Sequence, residues 1–449
     1  MRWILYNVLF AVGFGLALPR YLLRMRKRGG YRRGFLQRFG QYAPETLRKL
    51  AARPRVWIHA VSVGEIQVAL CFMAEMRRAE PDAAFVLTTN TPTAWRIGSE
   101  AVSDEDVLLY FPVDFPCIMK RVLRLLRPQA LILTEKELWP NLIRACQARS
   151  IPVFLINGRM SEASAAGYRK LRGFFAPVVR SLTLALVQSE ADRARLIGLG
   201  ARPERTVVVG SAKYDGMPGA VPASEKAQAL LARAGAGEDA IILLGGSTWP
   251  GEETALCEIY RTLRARQPRL RLALVPRHAE RRADVARDVA KTGLTPVLRS
   301  LLDASDSRTG PGPETAKAAG TVLIVDSTGE LNDFYACADI VFVGKSLGRN
   351  RGGQNIIEPA CLGKPVVTGP HMENFPVVMD DFLAARAVTQ VADAEGLSRT
   401  IEVWLADENV RQNQGRRARA VVEAKRGSVR VSVEKILGCL RQVVEPEQF

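Results

Sequence analysis

The stretch RVWIHAVSVGEI, residues 55–66, joins an apolar strand pattern to the start of a helix. Residues 55–61 are rich in β-branched and aromatic side chains, as in a buried strand. Ser62-Val63-Gly64-Glu65 then has the spacing of a capping box, in which a serine and a glutamate three residues later bond the free N–H groups of a helix start. A strand that runs directly into a helix is the building block of parallel α/β sheets, so the stretch predicts a doubly wound domain.

The same alternation of strand and helix patterns continues through the body of the chain. In the first half, strands are predicted at residues 55–61, 84–89, 107–111, 130–134, 152–156, 184–188 and 206–210. Residues 215–222 (DGMPGAVP) are turn-rich and indicate a linker, after which the pattern restarts. In the second half, strands are predicted at 240–245, 271–275, 321–325, 339–343 and 365–368. We therefore expect two doubly wound α/β domains in tandem, with a ligand cleft at their strand ends.

The domain boundaries follow from these patterns. We expect a membrane anchor with a basic flank at 1–38, an N-terminal domain at 39–215, a C-terminal domain at 216–425 and a C-terminal helix at 426–449. Residues 302–320 are predicted to form a polar loop inside the C-terminal domain.

The composition of the 449-residue chain excludes several classes of protein. Apolar residues make up 47% and charged residues 24%, which excludes an extended disordered, collagen-like or coiled-coil chain. The seven cysteines include no Cys-x-x-Cys pair, so the sequence supports neither a disulfide framework nor a cysteine-bound zinc site. With three scattered histidines, a multi-histidine metal centre is not expected either.

The net charge of +17 is concentrated at the N-terminus, where residues 1–50 carry +10 and the other 399 residues only +7. A nucleic-acid binder would spread its basic residues over a groove with interleaved aromatic side chains. Here they follow the most hydrophobic stretch, Trp3–Leu18, which favours a membrane over a nucleic acid. As a helix this stretch reaches about 24 Å, so a short spanning anchor, an interfacial helix and a helix buried against the fold remain alternatives.

In the two membrane alternatives, the basic residues after the apolar stretch belong on the cytoplasmic face, next to anionic lipids. The residues predicted to bind the membrane are Arg24, Arg26, Lys27 and Arg28.

Three further segments place a glutamate shortly after a small polar residue at the end of a strand: Ser247 to Glu252, Ser327 to Glu330 and Asn355 to Glu358. Each is most simply a helix cap, although adjacent glycines would let an anionic ligand approach the backbone N–H groups. The loop Gly344–Asn355 (GKSLGRNRGGQN) adds four glycines and three basic residues, which suits a phosphate. It matches neither the dinucleotide fingerprint nor the Walker P-loop, so hydride transfer and Walker-type ATP hydrolysis are disfavoured.

The order of motifs along the chain resembles that of the bacterial 3-deoxy-D-manno-octulosonic acid (Kdo) transferases. The likeness runs from the N-terminus to about residue 380. The segments that carry it are WIHAVSVGEI (57–66), TTNTPTAWRIG (88–98), YFPVDFP (110–116), TEKELWPNL (134–142), NGRMSEASAAGYRK (157–170), GSTWPGEE (246–253), PRHAER (276–281), DSTGEL (326–331), FVGKSL (342–347), GGQNIIEPA (352–360) and GPHMENF (369–375). The resemblance implies a two-domain GT-B glycosyltransferase at the cytoplasmic face of the inner membrane that moves Kdo from CMP-Kdo to a lipid A precursor.

The same resemblance implies roles for particular residues. Glu65 matches the family's catalytic base, and Glu135 and Glu137 resemble a second acidic pair, of which we expect Glu135 to orient the acceptor. The residues expected to bind the donor are Ser247, Arg277, Ser346, Gly353, Asn355, Glu358 and, from the linker, Lys213.

Two donor-side positions depart from the family pattern, because Trp249 and Gln354 stand where the family usually has histidine. His59 and His371 are expected to be structural hydrogen-bonding residues. No cofactor or metal is expected, because the chain has no Asp-x-Asp motif and basic side chains with helix ends suffice to neutralise a phosphate.

Overall fold

The computed structural model describes residues 2–28, 34–216, 224–303 and 320–444. It divides the chain into two compact units. The first comprises Met1–Gly216 together with Arg426–Phe449, and the second comprises Met217–Lys425. The chain thus leaves the first unit once and returns to it with its C-terminal segment.

The described part of the first unit is built on a seven-stranded parallel sheet with the order β3-β2-β1-β4-β5-β6-β7. All seven strands predicted for this half are confirmed. They are β1 (Arg55–His59), β2 (Phe85–Thr89), β3 (Val107–Tyr110), β4 (Pro128–Thr134), β5 (Val153–Gly158), β6 (Leu184–Val187) and β7 (Thr206–Val208).

Helices connect these strands and cover both faces of the sheet. Those of the described first unit are α1 (Arg2–Arg28), α2 (Pro44–Ala52), α3 (Val63–Ala79), α4 (Pro92–Ala101), α5 (Pro116–Leu126), α6 (Pro140–Gln147), α7 (Glu162–Lys170), α8 (Arg172–Arg180), α9 (Glu190–Leu199) and, after the second unit, α19 (Ser428–Val444). Successive residues of β1 contribute to different core clusters, with Val56 and Ile58 in one and Trp57 in the other. Burial on both faces explains why these strands read as continuous apolar runs.

Helix α1 packs against the first unit along one side only. Its aromatic residues lie at helical spacing and contact Phe174 and Phe115, with ring-centroid distances of 4.7 Å for Tyr6 and Phe174 and 5.2 Å for Phe10 and Phe115. The hydroxyl of Tyr6 also donates to Asp114 Oδ2 at 3.3 Å. These contacts fix one side of the helix to the fold.

The opposite side of α1 is an exposed aliphatic face. Its members are between 52% and 75% exposed, and they are Ile4, Leu5, Val8, Leu9, Val12 and Leu16. None of the helices in the described part of the chain is both long enough and apolar enough to cross a bilayer. The side chains of Arg24, Arg26, Lys27 and Arg28 lie outside the described residues.

Residues 34–38, assigned above to the basic flank, belong to the first unit. Arg38 donates from both terminal nitrogens to Asn90, at 3.1 Å to its side-chain oxygen and 3.0 Å to its carbonyl oxygen. The backbone N–H of Tyr110 donates to Gln37 Oε1 at 2.9 Å. These bonds attach the segment before α2 to the loop that follows β2 and to the end of β3.

The C-terminal helix α19 is also an integral part of the first unit. Its residues Val429, Val433 and Ile436 lie in the same core cluster as α3 and β1. The carboxylate of Asp215 accepts a hydrogen bond from the Ser428 hydroxyl at 2.6 Å and from the Val429 N–H at 2.9 Å. This carboxylate caps the start of the helix.

The described part of the second unit holds a second seven-stranded parallel sheet, with the order β10-β11-β9-β8-β12-β13-β14. Its strands are β8 (Ile241–Thr248), β9 (Leu270–Pro276), β10 (Thr295–Leu298), β11 (Thr321–Ile324), β12 (Ile340–Val343), β13 (Val366–Thr368) and β14 (Thr389–Gln390). Its helices are α10 (Glu225–Arg233), α11 (Glu252–Leu263), α12 (Arg282–Lys291), α13 (Arg299–Asp303), α14 (Leu331–Cys337), α15 (Ile357–Cys361), α16 (Pro376–Ala384), α17 (Ala394–Ala406) and α18 (Glu408–Lys425).

Sequence analysis predicted five of these strands and missed the two at the sheet edges. Strand β10 contains Pro296 and is only partly buried, and β14 is two residues long with an exposed glutamine. Edge strands this short and polar lack the apolar run by which the others were recognised. Most of the predicted polar loop at 302–320 lies outside the described residues.

Candidate active site

Each sheet has one point at which the strand order reverses, and ligands of open α/β sheets bind beside the carboxyl ends of the strands at that point. In the first unit it lies between β1 and β4. We call the loops that follow these two strands, residues 60–65 and 135–139, the first crevice. Glu65 lies in the first turn of α3, at the end of the first of these segments, and Glu135 and Glu137 lie in the second, so the fold brings together the three acidic residues that the resemblance singled out.

Glu65 is a buried carboxylate held by three hydrogen bonds. Its Oε1 accepts from the Ser62 hydroxyl at 3.0 Å, and its Oε2 accepts from the Val61 N–H at 2.9 Å and contacts Thr134 Oγ1 at 3.0 Å. The backbone N–H of Glu65 donates in return to Ser62 Oγ at 3.3 Å, so the serine caps the helix as predicted, while the glutamate side chain bonds the N–H of Val61 instead of that of Ser62. The bond to Thr134 goes beyond a cap, because it joins the first turn of α3 to the end of β4.

Glu135 is also buried, but it is paired with a cation. Its backbone has a φ of 52°, and its Oε2 accepts from Arg159 Nε at 2.8 Å. Lys213 lies close by: burial lowers the pKa of its ammonium group, and the negative charge of Glu135 partly opposes this lowering. Lys213, expected on the donor side, therefore lies beside Glu135 in the first unit. Glu135, Arg159 and Met160 also line a small cavity in this unit.

Glu137 is the carboxyl group with the strongest functional signature in the first crevice. It is half-buried, and burial together with the negative charge of Glu65 raises its pKa to about 7. A carboxyl group that titrates near neutral pH is typical of acid–base sites. The sequence showed Glu135 and Glu137 flanking Lys136, but it gave no means of deciding which carboxyl group would face Glu65.

His59 lies in the core with the packing and hydrogen-bond contacts expected of a structural residue. It is fully buried, its Nδ1 lies 3.2 Å from the carbonyl oxygen of Thr88, and its ring stacks on Phe111 at 3.7 Å. Burial lowers its pKa to about 3, so the ring is neutral at physiological pH.

In the second unit the strand order reverses between β8 and β12. We call the loops that follow these strands, residues 249–252 and 344–355, the second crevice. Ser247 lies just before it, in β8, with a φ of 53° and an exposure of 8%. Gly353 lies in it with a φ of 69°, and a Cβ atom at this position would collide with Met372. Only glycine fits there without a shift of the methionine.

The backbone of the loop after β12 does not offer the open phosphate cradle that sequence analysis expected. The N–H groups of Lys345, Ser346 and Leu347 all donate to the carboxylate of Glu252, at 2.9, 2.9 and 3.0 Å. The N–H of Gly353 donates to the carbonyl oxygen of Lys345 at 2.9 Å. The anion bound by these three N–H groups is therefore the chain's own Glu252, and the prediction that this loop suits a phosphate depends on its other groups.

Ser346 is likewise turned inward. It is fully buried, its hydroxyl donates to the carbonyl oxygen of Val343 at 2.6 Å, and the same hydroxyl accepts from the Gly369 N–H at 2.9 Å. In this conformation Ser346 holds the loop to β13 and presents no polar group to a donor.

Arg277, Asn355 and Glu358 form a polar cluster in the second unit. Asn355 Nδ2 donates to Glu358 Oε1 at 3.1 Å, and its Oδ1 accepts from the Ile357 N–H at 3.1 Å. Burial raises the pKa of Glu358, while Asn355 and the charge of Arg277 lower it. The guanidinium of Arg277 is exposed and makes no hydrogen bond or ion pair with any described residue, so it is available to a ligand.

Trp249, which replaces a histidine of the family pattern, packs between two polar neighbours. The Lys345 ammonium lies 4.9 Å from the indole centroid, and the His278 ring lies 5.5 Å away in an edge-on arrangement. Across the described residues, no group of three or more His, Cys, Asp or Glu side chains is placed to hold a metal ion.

A family model described as 3-deoxy-D-manno-octulosonic-acid transferase (kdotransferase) matches residues 33–216. The chain is 33% identical over 430 residues to the 3-deoxy-D-manno-octulosonic acid transferase of Bordetella pertussis, with 92% of this chain and 94% of the relative covered. It is 30% identical over 417 residues to the enzyme of the same name from Haemophilus influenzae, with 92% of each covered.

Solved structures share the fold at low sequence identity. A UDP-GlcNAc 2-epimerase from Neisseria meningitidis is similar with a TM-score of 0.57 and 13% identity, covering 86% of this chain and all of its own. A glycosyltransferase from Rickettsia africae is similar with a TM-score of 0.56 and 10% identity, covering 88% of this chain and 100% of its own. These similarities support a fold of the GT-B type.

Proposed function

The chain belongs to the Kdo transferases, a family of glycosyltransferases, and we propose that it moves Kdo from CMP-Kdo to a lipid A precursor, with inversion at the anomeric carbon and a glutamate as base. The observation that carries this proposal is the first crevice, where the rigidly held Glu65 carboxylate lies near the raised-pKa carboxyl group of Glu137. A carboxyl group that titrates near neutral pH, next to a rigidly held carboxylate, is the arrangement expected of an acid–base site.

Glu65 is proposed to take the proton from the acceptor hydroxyl. Each carboxylate oxygen has two lone pairs, and among the described contacts Oε1 accepts one hydrogen bond only, from the Ser62 hydroxyl. The remaining lone pair of Oε1 accepts the proton of the acceptor hydroxyl. At the same time, the oxygen of that hydroxyl attacks the anomeric carbon of Kdo. The bond from that carbon to the CMP phosphate oxygen breaks, and CMP leaves with its electron pair.

Glu137 is proposed to tune this base. When Glu137 is ionised, its negative charge lies close to the Glu65 carboxylate, and transfer of the acceptor proton to Glu65 relieves the repulsion between the two charges. Glu135 stays paired with Arg159 and orients the acceptor through that pair. Lys213, next to Glu135, adds a positive charge for the anionic groups of the acceptor.

The second unit is proposed to bind CMP-Kdo. Arg277 suits the donor phosphate or the Kdo carboxylate, because a guanidinium binds such groups through two parallel hydrogen bonds. Glu358, positioned by Asn355, would accept hydrogen bonds from the ribose hydroxyls. Ser247 and Gly353 contribute the close backbone approach, while Ser346 acts through packing.

The exposed aliphatic face of α1 is proposed to lie in the cytoplasmic leaflet of the inner membrane. An apolar helix face next to a basic segment is typical of interfacial helices that bind anionic lipids. Reversing the charge of Arg24, Arg26, Lys27 and Arg28 should weaken binding to anionic vesicles in a salt-sensitive way. CMP affinity should not change.

Two experiments test the function. Purified protein with CMP-Kdo and a lipid A precursor should give a product heavier by Kdo in mass spectrometry, and no such product would contradict the proposal. CMP should also raise the melting temperature of the protein, whereas UDP, ADP and single-stranded DNA should not. Equal protection by DNA would favour a nucleic-acid binder instead.

A further inference from the structure

Glu252, the first residue of α11, links the two loops of the second crevice. Its Oε2 accepts from the Trp249 N–H at 2.8 Å and the Lys345 N–H at 2.9 Å, and its Oε1 accepts from the N–H groups of Ser346 and Leu347. The side chain is only 2% exposed. All four lone pairs of the carboxylate are therefore used, and one oxygen bonds a residue from each loop.

This arrangement differs from a helix cap. A capping glutamate bonds N–H groups close to it in sequence, but three of the four donors to Glu252 lie 93 to 95 residues away. Lys345 adopts a φ of 58°, in the left-handed region that costs a non-glycine residue free energy. This conformation turns three successive N–H groups toward one point, as in the backbone nests that bind phosphate.

We propose that Glu252 is a positioning residue for donor binding: its carboxylate occupies the nest that a phosphate fills in other glycine-rich loops and fixes the loop that carries Lys345. The donor's anionic groups are then bound by side chains, Lys345 and Arg277. The Lys345 ammonium makes no hydrogen bond with any described residue, and it lies over the Trp249 indole. Oε2 of Glu252 accepts from the backbone N–H groups of both Trp249 and Lys345, so it also fixes the position of the ammonium over the indole.

The inference rests on the proposed donor site in the second unit, so one of its tests needs no donor. Hydrogen exchange of the amides of residues 345–347 should be at least about tenfold faster in Glu252→Gln, because the new amide group faces N–H groups that it cannot accept from. Glu253→Gln is the matched control. Glu253 is equally buried but bonds Arg281 at 2.8 Å and none of these amides. Unchanged exchange in Glu252→Gln would overturn the proposal.

The consequence for binding is measured by calorimetry with CMP. Glu252→Gln should bind CMP at least about tenfold more weakly than the wild type, and Glu253→Gln should bind it normally. Unchanged affinity in Glu252→Gln would overturn the positioning role. Failure of the wild-type protein to bind CMP would instead contradict the proposed function, and the exchange experiment would still report on Glu252.

Rescue of a Glu252 variant by a small added carboxylate separates a positioning role of this residue from a general effect on the stability of the fold. The experiment uses a second variant, in case Glu252→Gln fails to fold. Glu252→Ala removes Cγ and the carboxylate, a group the size of acetate. Added acetate should fill the nest and restore both slow exchange at residues 345–347 and CMP affinity, whereas neutral acetamide should not. Glu253→Ala should gain nothing from acetate. Equal responses to acetate and acetamide, or no response to either, would overturn the proposal.

Discussion

Thr134 Oγ1, at the end of β4, lies 3.0 Å from Oε2 of Glu65, in the first turn of α3. The same hydroxyl lies 2.9 Å from the carbonyl oxygen of His59, at the end of β1. Thr134 thus ties together the two strands that flank the first crevice and the carboxylate between them. In the proposed role of Glu65 as the base, a carboxylate held this way needs no rearrangement before it accepts a proton.

Glu65→Gln should abolish the base while preserving the shape of the helix start. Turnover should fall by about 10²–10⁴, with little change in CMP affinity. Steady-state kinetics and calorimetry measure the two effects. Glu75→Gln, on the same helix and in a surface ion pair with Arg78, should behave like the wild type. Near-normal turnover in Glu65→Gln would leave this residue as a cap only.

The raised pKa of Glu137 predicts a pH dependence. Turnover should increase as the pH rises through about 7, because Glu137 then ionises and its negative charge favours transfer of the acceptor proton to the nearby Glu65. In Glu137→Gln this step should be missing from the pH–rate profile, whereas the exposed-residue control Glu162→Gln should retain it. A profile that keeps the step in Glu137→Gln would assign the ionisation to another group.

Glu137 should also make the free energy of unfolding depend on pH, and this free energy should fall with rising pH where turnover increases. The folded pKa of Glu137, about 7, exceeds the ordinary value of 4.5, so between these values the folded state binds more protons than the unfolded state. The stabilisation it provides is therefore present at low pH and lost as the pH rises through about 7. The measured quantity is the melting temperature of Glu137→Gln minus that of the wild type. Calorimetry should find this difference more positive at alkaline pH than at acidic pH.

Arg277→Ala should raise the KM for CMP-Kdo by at least about tenfold, because the exposed guanidinium has no partner in the described fold and is available to the donor. Arg277→Lys should recover only part of this loss, since an ammonium cannot form two parallel hydrogen bonds. Arg282→Ala, which removes a nearby exposed arginine, is the control. A normal KM in Arg277→Ala would remove it from the donor site.

The two sides of α1 should respond differently to substitution. Replacing Leu5, Leu9 and Leu16 with glutamate should reduce co-sedimentation with anionic vesicles without lowering the melting temperature, because these side chains are exposed. Phe174→Ala should lower the melting temperature, because it removes the ring against which Tyr6 stacks. Unchanged sedimentation of the triple variant would exclude this face as the membrane contact.

Catalysis should not depend on a divalent metal if Arg277 and Lys345 neutralise the donor phosphate. Dialysis against EDTA should leave the rate unchanged. A loss of activity that Mg²⁺ restores would show that these two cations are insufficient.

Much of the fold follows from local patterns. Both parallel sheets were predictable because strands buried on both faces are continuous apolar runs, whereas β10 and β14 have no such run. The spacing of Trp3, Tyr6, Phe10 and Phe14 is helical, but inside a continuous apolar stretch it did not reveal which side would pack on the fold.

The site was predictable as a set of residues, but not in its contacts. Glu65 and Thr134 are 69 positions apart, and only the strand order brings them together. Glu252 had the spacing of a helix cap, and nothing local indicated that its carboxylate would bond a loop more than 90 residues away. Long-range hydrogen bonds of this kind depend on topology, which single-residue patterns do not encode.

The cap that Asp215 provides for α19 affects the order in which the protein forms on the ribosome. Asp215 and Ser428 are separated by 213 positions, so the first unit lacks α19 until the whole of the second unit has been synthesised. The second unit is continuous in sequence and emerges complete before that helix does. The half that is translated first is therefore the half that is finished last, and until then its nascent chain exposes the apolar surface that Val433 and Ile436 later cover.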